Sequence, residues 1–256
     1  MESKKELYLS VITVVYNGGK TIEKTILSVL SQTYKQIEYV IVDGASTDET
    51  LNIIKKYDSK IYKWISEPDA GLSDAMNKAV HLCTGDYVLF LHADDFFIDP
   101  ESVGKMMRMA KQKDEAWFTG FYKYVDAQGE VIFSDTIKAY SFFMMQVRNI
   151  IKHQSSMVKR SYLYEIPFDK KYKYAMDYDF FLNLWNRVGA PVYVYEHLVC
   201  FGLNGLSSNA EASITDEMRV RKAYREAKKE RWILIFDYPI YLIRILKVKI
   251  DKILKR

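Results

Sequence analysis

Four apolar runs in the first hundred residues each lead into a carboxylate or a carboxamide. Asn17 follows residues 7–16, Asp43 follows 37–42, Asp69 lies in the loop after 61–65, and the pair Asp94-Asp95 comes just after 87–91. If the runs are strands of one open α/β sheet, these residues converge at its carboxyl edge, where such sheets bind ligands. Adjacent carboxylates in a dry loop repel each other, so a cation or sugar hydroxyls must be there to use them. A hard divalent ion, Mg²⁺ or Mn²⁺, held by one or two carboxylates plus substrate phosphates meets that need. The plainer alternative is a solvated strand end. The loop Tyr16-Asn17-Gly18-Gly19-Lys20 has neither the G-x-G-x-x-G order of a dinucleotide site nor that of a P-loop, so neither NAD binding nor ATP hydrolysis is supported.

The elements that must position these residues alternate. Residues 7–16 are a nearly continuous β-branched run, the pattern of a strand covered on both faces. Ile22, Ile26, Val29 and Leu30 then fall at helical spacing, ahead of a second strand at 37–42. Ser46-Thr47-Asp48-Glu49 reads as a capping box, with Ser46 bonding the amide of Glu49 and Glu49 reaching back, before a helix that turns Leu51 and Ile54 inward. A third strand at 61–65 is followed by a helix with Leu72, Ala75, Met76, Ala79 and Cys83 on one face, then by a strand at 87–91 and a helix opened by Asp99-Pro100. Such recurrence implies successive right-handed βαβ units. The rhythm then changes. Residues 117–125 and 131–134 flank the turn sequence Asp126-Ala127-Gln128-Gly129 and predict a hairpin; a helix over 176–188 ends at Gly189, and a strand follows at 192–199. The class is α/β, a Rossmann-like mixed sheet, parallel early and antiparallel late.

Four segments carry a family resemblance: SVITVVYN from Ser10, IVDGASTDET from Ile41, SEPDAGLSDAMNKAV from Ser66 and GDYVLFLHADD from Gly85. In order and spacing they resemble the nucleotide-binding half of glycosyltransferase family 2 enzymes with the GT-A fold. The likeness continues more weakly through His153-Gln154-Ser155, Met176-Asp177-Tyr178-Asp179 and Asn204-Gly205-Leu206-Ser207, covering roughly residues 7–207.

The resemblance implies a nucleotide-sugar donor, most simply a UDP-sugar, and an inverting, metal-dependent transfer. Tyr16 and Asp43 would hold the base with main-chain groups around Val14, Asn17 and Asp69 would stand at the same pocket, and Asp94 would meet the ribose. Asp95 would ligate Mn²⁺ or Mg²⁺. His92 stands where many relatives carry the first Asp of a DxD motif, which leaves Asp95 as the main protein ligand. Asp177 matches the general base of an ED-type motif, here Met-Asp; by itself it could equally be a carboxylate favourable to a helix dipole. His153, Gln154 and Ser207 are candidate acceptor or phosphate contacts, although a lone histidine is usually structural. Residues 204–207, with Ser207, are either a flap over the donor or a turn. Trp117, Phe121 and Trp185 read as core. The rival chemistries are nucleotidyl transfer, for which the first loop is a poor fit, and a non-catalytic membrane-binding relative.

The 256 residues, 49% apolar and 27% charged, suit a soluble globular chain and exclude collagenous or wholly disordered classes. Cys83 and Cys200 lack metal-site spacing and read as buried thiols. The net charge of +4 divides unevenly: residues 219–256 hold 13 Lys or Arg against 4 Asp or Glu, and the rest 24 against 29. The division suggests a GT-A domain over 1–214, with a donor half at 7–112 and an acceptor half at 113–214, and a basic amphipathic helical extension over 215–256. Residues 232–256 mix Trp, Ile, Leu and Tyr with lysines, as segments in an anionic bilayer interface do. The alternative is a helix packed on the domain or on a second subunit. Pro239 should break or kink the helix. A short charged N-terminus and no apolar run of membrane-spanning length place the chain in the cytoplasm, at the inner face of the membrane, with a glycan or lipid-linked acceptor from surface-polysaccharide synthesis and no nucleic-acid partner.

Overall fold

The computed structural model describes residues 6–126, 130–136, 141–202, 209–229 and 234–254, the side chains of 234–236 and 251–254 excepted. Among these residues one nine-stranded mixed sheet runs through the molecule, in the order β3-β2-β1-β4-β8-β6-β9-β5, with β7 paired to β6. Its parallel half is β1 (Leu9–Val15), β2 (Ile37–Asp43), β3 (Lys63–Ser66) and β4 (Tyr87–Phe90). Every residue of β1 and β4 is buried, because helices cover both faces and neither side needs a polar alternation. On one face, Ile12 and Val14 pack with α3 (Leu72–Leu82), α7 (Met176–Val188) and α8 (Ala210–Ala227). On the other, Leu9, Val11 and Val15 pack with α1 (Ile22–Leu30) and α4 (Ser102–Lys113).

The sheet changes polarity at β8 (Ser156–Lys159), which is antiparallel both to β4 and to β6 (Trp117–Val125). Four residues, SMVK, give no period to read, so this strand is invisible in the sequence although it joins the two halves. The hairpin of β6 with β7 (Val131–Ser134) forms as expected. β9 (Val192–Gly202) runs parallel to β6 and three residues beyond its predicted end, which lets its tail pair with the short β5 (Phe96–Phe97). Trp117 stacks on Phe181 inside the core, and both cysteines are buried free thiols.

Three local expectations are corrected. The capping box does not form: α2 (Thr50–Lys56) starts one residue after Glu49, which bonds Asn52, while Ser46 turns back to Asp43. Asp48 takes over instead, accepting from the amides of Thr50 and Gly19. At Asp99 the carboxylate accepts from the amide of Glu101, so α4 begins at Ser102 rather than at Pro100. Pro239 lies inside a single helix, α9 (Leu234–Leu254). A proline there removes one hydrogen bond near the start of a 21-residue helix, which its packing on α8 outweighs. α8 starts at Ala210 and puts Val220 and Tyr224 into the main core. The turn residues 127–129 and the segment 204–207, Ser207 included, lie outside the described residues.

Candidate active site

One end of the parallel half is built by the turns after β1, β2 and β3. Asp43, the last residue of β2, is fully buried, and its carboxylate accepts from the amide and hydroxyl of Ser46 and from the hydroxyl of Ser66. It therefore shapes the loop 43–50 from below. Asn17, in the left-handed region at φ 52°, clamps the same loop: its side chain accepts from the Thr47 amide and its own amide donates to Ser46. Val14 lies buried inside β1 in register with Val42. Tyr16 stands out at 66% exposure beside Gly44. A Cβ on Gly44 would come within 2.6 Å of Asp69 Oδ2, so glycine lets Asp69 close over the strand end. Tyr16, Gly44 and Asp69 thus form one corner, with Asp43 beneath it.

The loop after β4 carries the second group. Thr25 fixes it by donating to the carbonyl of Asp95, 2.7 Å away. The Asp95 carboxylate is 2% exposed, and its Oδ2 has no partner among the described residues. Burial, reinforced by the charge of Asp94, raises its pKa well above the ordinary carboxylate range. Burial likewise raises that of Asp94. A buried carboxylate oxygen without a partner, next to a second carboxylate, is the donor set a divalent cation suits. No cluster of three or more His, Cys, Asp or Glu side chains able to hold a metal occurs among the described residues.

The third group centres on Asp177 in the first turn of α7. It is 8% exposed and accepts four contacts: Asn149 Nδ2 at 3.2 Å to both oxygens, His153 Nδ1 at 3.0 Å to Oδ2, and the Tyr178 amide at 2.7 Å to Oδ1. Burial pushes its pKa up, but the hydrogen bond and charge of His153, with Lys152 and the Tyr178 amide, outweigh it and hold the carboxyl below its ordinary value. The end of α7 is fixed from outside, since Asp216 of α8 accepts from the amides of Tyr174 and Ala175. Asp177 adds one bond to that end, through the first-turn amide of Tyr178, and its remaining contacts come from Asn149 and His153, outside the helix.

A short turn, His153–Ser155, lies between the two acidic groups: His153 faces Asp177 and also meets His92, on the loop that carries Asp94 and Asp95. Nδ1 of His153 thus has a protein partner. His92 lies edge-on to His153 with centroids 4.7 Å apart. Burial, then the nearness of His153, holds His92 far below the usual imidazole range, so it is neutral. Both its ring nitrogens, and Nε2 of His153, are buried without partners among the described residues. Asn149 was not foreseen; an asparagine four residues before His153 carries no signal until the chain folds it against Asp177.

The sequence model described as glycosyl transferase family 2 matches residues 10–167, more than half of the chain. The chain belongs to this family. An uncharacterised glycosyltransferase of Mycobacterium tuberculosis is 29% identical over 213 residues, 80% of this chain and 79% of the relative. Among solved structures, S. aureus TarS 1–349 in complex with UDP-GlcNAc matches with a TM-score of 0.69 at 20% identity, over 85% of this chain and 66% of that one, just under two thirds of its length. Mannosyltransferase PcManGT of Pyrobaculum calidifontis, in complex with GDP-Man and Mn²⁺, gives a TM-score of 0.69 at 14% identity over 96% and 76%. This family 2 protein thus has the GT-A fold and is a glycosyltransferase, and nucleotidyl transfer is set aside.

Proposed function

We propose that this glycosyltransferase moves a sugar from a UDP-sugar to the hydroxyl of a glycan or lipid-linked acceptor, with inversion, at the cytoplasmic face of a membrane in surface-polysaccharide synthesis. The observation that carries the reading is the His153–Ser155 turn, which sets His153 against the buried carboxylate of Asp177 on one side and against His92 of the Asp94-Asp95 loop on the other. TarS with UDP-GlcNAc and PcManGT with GDP-Man and Mn²⁺ support the donor class.

Tyr16, Asp69 and the loop above Asp43 take the nucleoside, and Asp94 the ribose. Asp95, with its unpartnered oxygen, would hold Mn²⁺ or Mg²⁺, which when bound supplies positive charge to the diphosphate leaving group. The acceptor oxygen forms its bond to the anomeric carbon as the bond from that carbon to the diphosphate oxygen breaks, and the electron pair leaves with the nucleoside diphosphate. Asp177 accepts the hydroxyl proton. Its depressed pKa keeps it ionised at neutral pH, and the proton it takes becomes acidic only as the new bond forms, so the low value does not disable it. Asn149 and His153 hold the carboxylate in one orientation, as preorganised catalysis requires.

A thermal-shift screen of UDP-, GDP- and dTDP-sugars with Mn²⁺ or Mg²⁺ tests the donor, because a ligand that binds only the folded state raises apparent stability. Stabilisation by a UDP-sugar, followed by release of UDP on adding acceptor, is expected. Release of pyrophosphate, or no stabilisation by any nucleotide sugar, overturns the reading.

A further inference from the structure

Helix α9 has two unlike sides. On one, Asp237 is buried between two guanidiniums of α8, accepting from Arg221 Nε at 3.0 Å and from Arg225, and Arg244 pairs with Glu217. At about 100° per residue, Asp237 and Arg244 share one face. The opposite face, within an arc of roughly 100°, carries Pro239, Leu242, Ile243, Leu246 and Ile250. All five are exposed, the four aliphatic side chains at 45–68%. Lys249 and Lys247 edge this stripe, one on each side, and no carboxylate pairs with either among the described residues.

We infer that the outward stripe of α9 is a docking surface for an anionic bilayer, and that the clamp through Asp237 and Arg244 fixes the direction in which it faces. Charge complementarity selects this occupant. The cations at the edges of the stripe match acidic headgroups while the aliphatic side chains enter the acyl boundary. A second copy of α9 laid on the stripe would set lysines against lysines. No helix among the described residues is long and apolar enough to cross a membrane, so α9 would lie along the surface.

The clamp also points to what the docking serves. Glu217, the partner of Arg244, accepts from the Asn149 amide at 3.4 Å, and Asn149 holds both oxygens of Asp177. Arg225, the partner of Asp237, donates to the carbonyl of Gln146 on the same segment. The membrane helix is thus tied to the Asp177 end of the site, which suits an acceptor carried by the bilayer. That last step rests on the proposed role of Asp177; the docking surface does not.

The test is co-sedimentation of the full chain with phosphatidylcholine vesicles with and without phosphatidylglycerol, beside donor-induced thermal stabilisation in vesicle-free buffer. Wild type should sediment only with the anionic vesicles. Leu242→Glu/Leu246→Glu should weaken partition by roughly tenfold or more, and Lys247→Glu/Lys249→Glu should remove the preference for phosphatidylglycerol. Both variants should keep the unfolding midpoint and the donor response of wild type, because none of the four residues touches the site. Absence of wild-type binding, or equal binding by the leucine variant, overturns the proposal. So does a wild-type dimer that the leucine variant turns into a monomer, which would make the stripe a self-interface. A wild type that binds vesicles but no nucleotide sugar would overturn the donor assignment and leave the surface standing.

Discussion

Nδ1 of His153 lies 3.0 Å from Oδ2 of Asp177, and the same ring meets His92, on the loop that carries Asp94 and Asp95, with centroids 4.7 Å apart. One turn thus sets the spacing between the carboxylate proposed as base and the carboxylates proposed to face the donor. His153 acts through Asp177 and is a positioning residue. His153→Ala should lower kcat by roughly tenfold to a hundredfold, the worth of a hydrogen bond to a charged group, with little change in donor KM. His153→Asn, whose amide can still donate to Asp177, should recover much of the loss. An unchanged kcat in the alanine variant would show that the contact orients nothing.

Asp177→Asn keeps the size of the side chain and removes its basicity. Transfer should fall by about 10² to 10⁴ while UDP-sugar stabilisation persists. Because the carboxyl is held below its ordinary value, it is ionised above about pH 5, and the rate of wild type should show no step from this group from there to neutrality. Equal turnover by wild type and variant would end the base assignment.

Asp95→Asn replaces a carboxylate that burial and Asp94 disfavour with a neutral side chain. The variant without ligand should therefore unfold at the same temperature as wild type or higher, yet lose the extra stabilisation that Mn²⁺ adds to UDP-sugar binding. A retained Mn²⁺ increment would remove Asp95 from the proposed ligand set.

Asp179 offers a stability test with a defined sign. Burial, with Asp169 adding to it and Lys171 opposing, raises its pKa to about 6 from 3.8. The folded state then binds the extra proton between those values, so this group makes the protein less stable as pH rises from about 4 to 6 and contributes a constant penalty above, up to about 3 kcal/mol. Asp179→Asn should be more stable than wild type at neutral pH, with the gap closing near pH 4. Calorimetric unfolding at the two pH values decides it, and a gap that is the same at both would contradict the raised pKa.

Asp237→Ala withdraws the anion shared by buried Arg221 and Arg225. A loss of about 3–5 kcal/mol is expected in urea unfolding, since two buried cations lose their common partner. A loss below about 1 kcal/mol would mean that α9 is not clamped through this residue.

The sequence by itself determined the order of strands and helices through β4, the bounds of α7 at Met176 and Val188, and the strand-end positions of Asn17, Asp43, Asp69, Asp94 and Asp95. These are local matters, because apolar period and turn chemistry act within a few residues of one another. Only the tertiary structure decided what those residues touch. The four residues of β8 take their place from β4 and β6, His153 meets Asp177 across 24 positions, and Asn149 meets Glu217 across 68. It also decided the fate of the basic tail: composition showed lysines among aliphatic residues, while the burial of Asp237 between Arg221 and Arg225 set which face of α9 turns inward. A hydrogen bond between distant positions leaves no period in the sequence, because its partner arrives only when the chain has closed around it.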